Sequence, residues 1–335
     1  MILNEILQEA LVARANLAPS VHNTQPARWH FAPDGTITLL ADPARFLGVG
    51  DPQLRDAGLS CGAAIEGTAL ALSELGLALG GYRDLWKSSS DFKGLRIAAR
   101  GIAQTGGTPD PLASAIGRRA TWRGAFMAPT PEARRSIEAL EGRRDDLALA
   151  LSPKDIAVLA RLNDDASLRF YGHSPYRREL LGWMRLSRRH PDFARDGLNL
   201  EALQLSGFEG AAAGRILGRE TLFRLTGALG LQRMLLGEAA KTKSATALVL
   251  FHRPEGESPV ETGRIFYRLW LALAAEGLSL WPMAVLADDP ETAAVLRGRF
   301  AIPQGRRLIT VWRAGPAPEI APKARLPVKD LIIKG

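Results

Sequence analysis

The chain has 335 residues, 46% hydrophobic and 23% charged, which is ordinary for a soluble globular protein and long enough for one large domain or two. No apolar run approaches the roughly 20 residues a bilayer span needs; the segment around Glu5 and Glu9 is unlike a signal peptide, and the single cysteine, Cys61, cannot form an internal disulfide, so a cytoplasmic protein is expected. The net charge of +8 suits an anionic partner, but the basic pairs, such as Arg118-Arg119, Arg188-Arg189 and Arg306-Arg307, are scattered without zinc-finger or RNA-binding spacing, which favours solvated helix faces over a nucleic-acid surface.

Apolar Ile2, Leu3, Ile6, Leu7 and Leu11 share one face and predict a helix over 2–17. A polar loop, APSVHNTQP at 18–26, follows, then a strand at 37–41 after a Pro-Asp-Gly turn. Residues 56–79 read as a long helix of small residues, 95–100 as a strand, and 101–111 as a glycine- and proline-containing linker. A helix is expected from Thr130-Pro131-Glu132, where Thr suits the N-cap and Pro the first turn. A strand at 147–151, a helix at 154–167 and a mostly helical stretch at 183–240 come next. Strands at 246–252 and 308–313 bracket a helix at 261–280, and a proline-rich tail ends the sequence.

One internal repeat stands out. Residues 60–77 align without gaps on 261–278, matching Gly62, Leu70, Ala71, Leu72, Gly76 and Leu77 with Gly263, Leu271, Ala272, Leu273, Gly277 and Leu278. Two Ala/Leu-rich helices would share some of this by chance, but the repeated flanking order favours a duplication.

Four short segments carry chemistry. The loop Pro19-Ser20-Val21-His22-Asn23-Thr24-Gln25-Pro26 offers backbone N–H groups, amides and hydroxyls without fixed charge, which suits a polar heteroaromatic edge. Arg119-Ala120-Thr121-Trp122-Arg123 sets two guanidinium groups around a hydroxyl, a pattern that can close on phosphate. The turn through Pro282, Met283 and Ala284 follows a helix ending at Gly277-Leu278. Lys323 and Arg325 sit between prolines in a stiff extended tail, and apolar Ile320, Leu326, Val328, Leu331 and Ile332 argue that this tail packs. Each segment alone has an ordinary structural explanation: a capped loop, a basic linker, a helix end, a disordered tail.

Together and in this order they resemble the nitroreductase family. In that family one subunit of a dimer supplies an Arg-x-Ser-x-Arg/Lys motif, the turn after a Gly-Leu helix and a C-terminal Lys-x-Arg. Its partner supplies a Pro-Ser-x-x-Asn-x-Gln-Pro loop, and FMN lies between them. Here the first half carries the loop and the second half carries the rest, which resembles the double-length, Acg-like branch, where one chain mimics the dimer. The resemblance implies an α+β fold of two homologous halves, an intramolecular pseudo-dimer with mixed sheets flanked by helices. The halves would be 1–105 and 118–335, joined by a linker at 106–117, with a lid at 183–240.

It also implies a site. FMN would be bound by Pro19, Ser20, Val21, Asn23, Gln25, Arg119, Thr121, Arg123, Lys241, Pro282, Met283, Ala284, Lys323 and Arg325. Arg119, Thr121, Arg123 and Arg325 would hold the phosphate, with Lys323 at the ribityl or phosphate end. Lys241 would be the catalytic residue, favouring negative charge on the reduced ring, with Lys243 as the alternative. The implied activity is an FMN-dependent NAD(P)H oxidoreductase that relays hydride through flavin N5 to a small-molecule acceptor, nitroaromatic or quinone-like. No metal, nucleic acid or membrane is implied, and the chain would be a monomer or a homodimer of such chains. The alternative is an FMN-storing protein whose lid permits little turnover. Departures from the family pattern are Thr121 for Ser, Ala27 where Trp is usual, and Ala284 where Glu is frequent. A hydrolase-like Gly-x-Ser-x-Gly at 58–62 falls inside a helical stretch, where it has no strand-to-turn setting. The five histidines show no metal-ligand spacing.

Overall fold

The computed structural model describes residues 3–88, 90–320 and 322–335. The first helix, α1 (Glu5–Ala15), begins where the Asn4 side chain accepts from Leu7 N at 2.9 Å, and it buries Leu11, Val12 and Ala15. It is shorter than expected, and Ile2 lies outside the described residues. β1 (Ala27–Phe31) and β2 (Thr36–Ala41) form an antiparallel hairpin. β1 was not expected, although Ala27, Trp29 and Phe31 alternate with Arg28 and His30 as strand residues do. Arg28 is nevertheless buried, with Nη2 on Asp42 at 2.8 Å and Nη1 on the carbonyls of Gln25 and Ala27. Then come α2 (Arg55–Glu74), β3 (Leu77–Asp84), β4 (Asp91–Phe92) and β5 (Leu95–Thr105).

The rest of the chain forms α3 (Pro131–Glu141), β6 (Leu147–Ala150), α4 (Pro153–Gly172) and α5 (Ser174–Gly182). The 183–240 stretch holds β7 (Met184–Arg185), β8 (Leu198–Asn199), α6 (Leu200–Leu203), α7 (Gly207–Gly218), α8 (Glu220–Ala228) and α9 (Gln232–Leu236). α10 (Ala239–Lys243), β9 (Ala247–Pro254), α11 (Pro259–Ala275) and β10 (Ser279–Pro282) follow. α12 (Val285–Asp288), α13 (Pro290–Arg299) and β11 (Arg306–Gly315) complete the fold.

Two sheets result, ordered β1-β2-β5-β3 and β6-β9-β11-β10, with β4 attached to β5. In each, the four main strands lie in the order first, second, fourth, third. In each, a long helix, α2 or α11, separates the second strand from the third. All strand pairs in both sheets are antiparallel. Parallel pairing enters at their edges, where Ile332 bridges to Trp29 and Thr121 to Leu280. The C-terminal arm thus extends the first sheet, and Leu326 and Leu331 join that sheet's core. Ile320, by contrast, is exposed.

The two long helices pack on each other through the repeated glycines. A Cβ on Gly62 would sit 2.0 Å from the Val260 carbonyl oxygen, and one on Gly263 would sit 2.1 Å from that of Leu59. Residues 59 and 260 are equivalent in the repeat, so the contact is reciprocal, as across a twofold axis. Both helices also stop earlier than expected, at Glu74 and Ala275, because Gly76 (φ +70°) and Gly277 (φ +77°) take the left-handed conformation. Leu77 and Leu278 then lead into strands. The 106–117 segment packs between these helices, burying Ala113, Ala115 and Ile116 against Ala63, Leu70, Tyr267 and Leu271.

Candidate functional site

The loop after α1 is shaped by its own side chains. Ser20 Oγ accepts from Gln25 N at 3.0 Å, and Val21 N donates to Ser60 Oγ on α2 at 3.1 Å. Between them His22, Asn23 and Gln25 take φ values of +44°, +56° and +51°. Three non-glycine residues in the left-handed region within four positions mark a backbone held by its surroundings at a cost. Those surroundings are two distant segments. Asn23 Nδ2 donates to the carbonyls of Gly197 and Ala324, both at 3.2 Å, and its Oδ1 accepts from Arg325 Nη1 at 3.0 Å. Gln25 Nε2 donates to Arg195 O and its Oε1 accepts from Leu326 N, both at 2.8 Å.

Beside this loop lies a cavity of about 700 Å³, within the usual range for a small-molecule site. It brings together Pro19, Ser20, Val21, Asn23, Arg119, Thr121, Arg123, Lys241, Pro282, Met283, Ala284, Lys323 and Arg325. Of the expected cofactor residues, only Gln25 is not on its wall. Gln25 instead ties the loop to the stem of the 183–240 segment and to the C-terminal arm.

One corner is strongly cationic. Arg119 is 3% exposed, lies over the Trp270 ring at 4.8 Å, and spends one donor on Leu17 O, while its Nε and Nη1 have no protein partner. Lys323 Nζ reaches Gly117 O at 2.5 Å. Arg325 is more committed, with donors on the carbonyls of Asn16, Leu17 and Ala18 as well as on Asn23. Arg123 Nη1 donates to Ala202 O in α6. Among the described residues none of these four cations forms an ion pair. Burial, with the neighbouring cations, lowers Lys323 to about 7 and Arg325 to about 9, and burial lowers Arg123 to about 10. His22, buried near Arg123, is lowered to about 4 and is neutral at physiological pH. An anion is the chemical complement of this corner. Tyr267, whose buried hydroxyl has no partner, stands beside Arg119.

Elsewhere on the wall, Lys241 Nζ pairs with Glu238 Oε1 at 3.3 Å. Asp56 and Asp288 also face the cavity, with Arg55 Nη2 3.6 Å from Asp288. Burial raises both carboxyl groups, Asp288 to about 6, and each raises or is raised by nearby acids. Neither these acids nor Tyr171 and Tyr176, which line the same cavity, lie in a recognisable sequence motif. The 183–240 segment roofs the cavity with residues of α6, α7 and α9. Among the described residues no cluster of three or more potential metal ligands occurs, and no helix is long and apolar enough to cross a membrane.

No protein-family model matches the sequence. A Mycobacterium tuberculosis protein named "Putative NAD(P)H nitroreductase acg" is 31% identical over 195 residues, 55% of this chain and 55% of its own length. The chain thus spans about half the length of that curated relative. A second M. tuberculosis protein, also named as an NAD(P)H nitroreductase, is 29% identical over 265 residues, 70% of each chain. By sequence, the chain is similar to these mycobacterial proteins named as NAD(P)H nitroreductases. A solved Desulfitobacterium hafniense nitroreductase with bound FMN overlays 67% of this chain and 97% of its own at TM-score 0.38 and 14% identity.

Proposed function

We propose that this protein binds FMN in the cavity and acts as an NAD(P)H oxidoreductase that reduces small electron-poor acceptors. The observation that carries the reading is the corner formed by buried Arg119 with half-buried Lys323 and Arg325. It holds three cations, no paired acid and two orphaned guanidinium N–H groups. Unpaired buried cations are costly, and a phosphate monoester supplies the missing charge and acceptors. FMN therefore fits the residues present, with the free donors of Arg119 and Lys323 holding its phosphate. Arg325 positions the loop at 16–23 for the same ligand. When bound, the flavin supplies the hydride chemistry. Thr121 would add its hydroxyl at the phosphate, and the 19–23 loop and the 282–284 turn would orient the ring. Lys241 would place positive charge beside it, Glu238 holding the ammonium until the ring becomes anionic. The roof would exclude water.

The site is also read as an internal pseudo-dimer site, with halves 1–105 and 118–335. The shared strand order and the reciprocal Gly62 and Gly263 contacts support this. One loop and one cationic set then give one FMN per chain. The test is flavin content of the purified protein, followed by anaerobic mixing with NADH and NADPH. A ratio near one and bleaching of the flavin are expected. A second reading, FMN storage, is favoured by the roof being tied to the loop through Asn23, Gln25 and Arg123. A flavin that stays oxidised under excess NADH and NADPH would select it.

A further inference from the structure

The part of the cavity lined by the 183–240 segment, here called the arm, differs in chemistry from the cationic corner. Its lining includes Leu203, Leu205, Ala212, Ala213, Ile216 and Leu236, from α6, the turn after it, α7 and α9. These six side chains are all hydrocarbon and offer a ligand apolar contact. Glu209, which lines the cavity from α7, accepts from Ser206 N at 2.8 Å in a capping box. The arm reaches the surface at three side chains that both line the cavity and stand in solvent: Phe208, 84% exposed, Met234, 73%, and Leu235, 45%. Single exposed apolar residues are common, but three that all line one cavity are more than scatter. α7 packs on α5 and α8, and α9 packs on α4 and α8.

We propose that this arm is a subsite for a hydrocarbon tail, so that the acceptor is a planar electron-poor ring carrying an alkyl or isoprenoid chain that runs outward between Phe208, Met234 and Leu235. The proposal rests on the reductase reading for the role of the ring, while the tail subsite stands on the cavity wall alone. A ring of the nitroaromatic or quinone type would sit at the flavin, and the chain would displace water from the arm.

The probe is a series of 2-alkyl-1,4-naphthoquinones, from methyl to heptyl, titrated into the FMN-loaded protein. Binding is read by quenching of tryptophan fluorescence, and NADH-dependent reduction is read separately. Affinity should rise about fourfold for each added methylene that enters the arm, then level off once the chain reaches the surface. Ala213→Phe, which narrows the arm, should flatten the series while leaving the methyl compound's affinity and the FMN content unchanged. Met234→Lys should move the plateau to shorter chains. An affinity indifferent to chain length overturns the subsite, as does a slope that survives Ala213→Phe, which would mark nonspecific adsorption. If the slope holds but NADH reduces no member of the series, the reductase reading falls and the tail subsite remains.

Discussion

The two halves of the chain share a frame and differ in what they bring to it. Both fold the same four-strand order around one long helix, and both helices end on a left-handed glycine followed by leucine. Yet the first half supplies a strained, uncharged loop, and the second supplies all four cavity cations of the 119–123 and 323–325 segments together with the roof. The frame is symmetric because reciprocal helix packing requires equivalent residues on both sides. The site is asymmetric because a single ligand needs each group once.

Breaking the symmetric part should have the largest effect. Gly62→Ala and Gly263→Ala each drive a Cβ to about 2 Å from a backbone carbonyl of the opposite helix. Rigid backbone cannot yield as a side chain does, so each should cost at least about 3 kcal/mol, at the upper end for overpacking. Urea titration measures this. Near-equal losses at the two positions are expected, and a neutral result at either would break the claim of reciprocal packing.

Breaking the asymmetric part should be gentler and selective. Arg119→Ala removes the two unspent donors and should weaken FMN by about 1.5–3 kcal/mol, as for charge-assisted hydrogen bonds. Riboflavin, without the phosphate, should change far less in the same titration; equal losses would move Arg119 away from the phosphate.

Lys323 sharpens the same point through pH. Its ammonium, held at about 7 against an ordinary 10.5, gains an anionic neighbour when FMN binds, so its pKa rises on binding. Below pH 7 the lysine is already charged. Above it, binding must take up a proton, and affinity should fall by up to about tenfold per pH unit toward the bound pKa. Without FMN the sign for folding is opposite. The unfolded chain binds more protons between about 7 and 10.5, so apo stability rises with pH across that window. FMN titrations at pH 7, 8 and 9, with Lys323→Met as the control that should lose the slope, check the assignment.

Much of this was legible beforehand because the signals are local. Thr130 caps a helix, Gly76 and Gly277 stop two, and the four segments meet on one cavity wall. What was not legible depends on partners far away in sequence. The burial of Arg28 in β1 depends on Asp42 and two carbonyls that satisfy its guanidinium. Asp56, Asp288, Tyr171 and Tyr176 reach the cavity from α2, α12, α4 and α5, and no spacing along the chain connects them. The resemblance assigns Arg119 and Arg325 alike to the phosphate, yet Arg325 is spent on carbonyls of the first half.

Gln25 gives the finest test, because its place in a motif and its place in the fold assign it different roles. As a cofactor ligand it would lose affinity for FMN and riboflavin alike when altered. As a clamp it joins the roof through Arg195 O and the C-terminal arm through Leu326 N. Gln25→Glu separates the two bonds. A carboxylate still accepts from Leu326 N but cannot donate to Arg195 O, so the arm stays tied while the stem of the roof loses one buried bond. The expected cost is several kcal/mol in global stability, because the new carboxylate is buried and faces the Arg195 carbonyl oxygen. The local effect should be more evident. Amide exchange should quicken in the 195–199 segment and stay unchanged at 326–331, and flavin should dissociate a few times faster with little change in association. Gln25→Ala, which removes both bonds, should extend the faster exchange to the arm. Faster exchange at both ends in the glutamate variant would show that the two anchors are not independent. Unchanged exchange with weaker flavin binding would return Gln25 to the cavity wall.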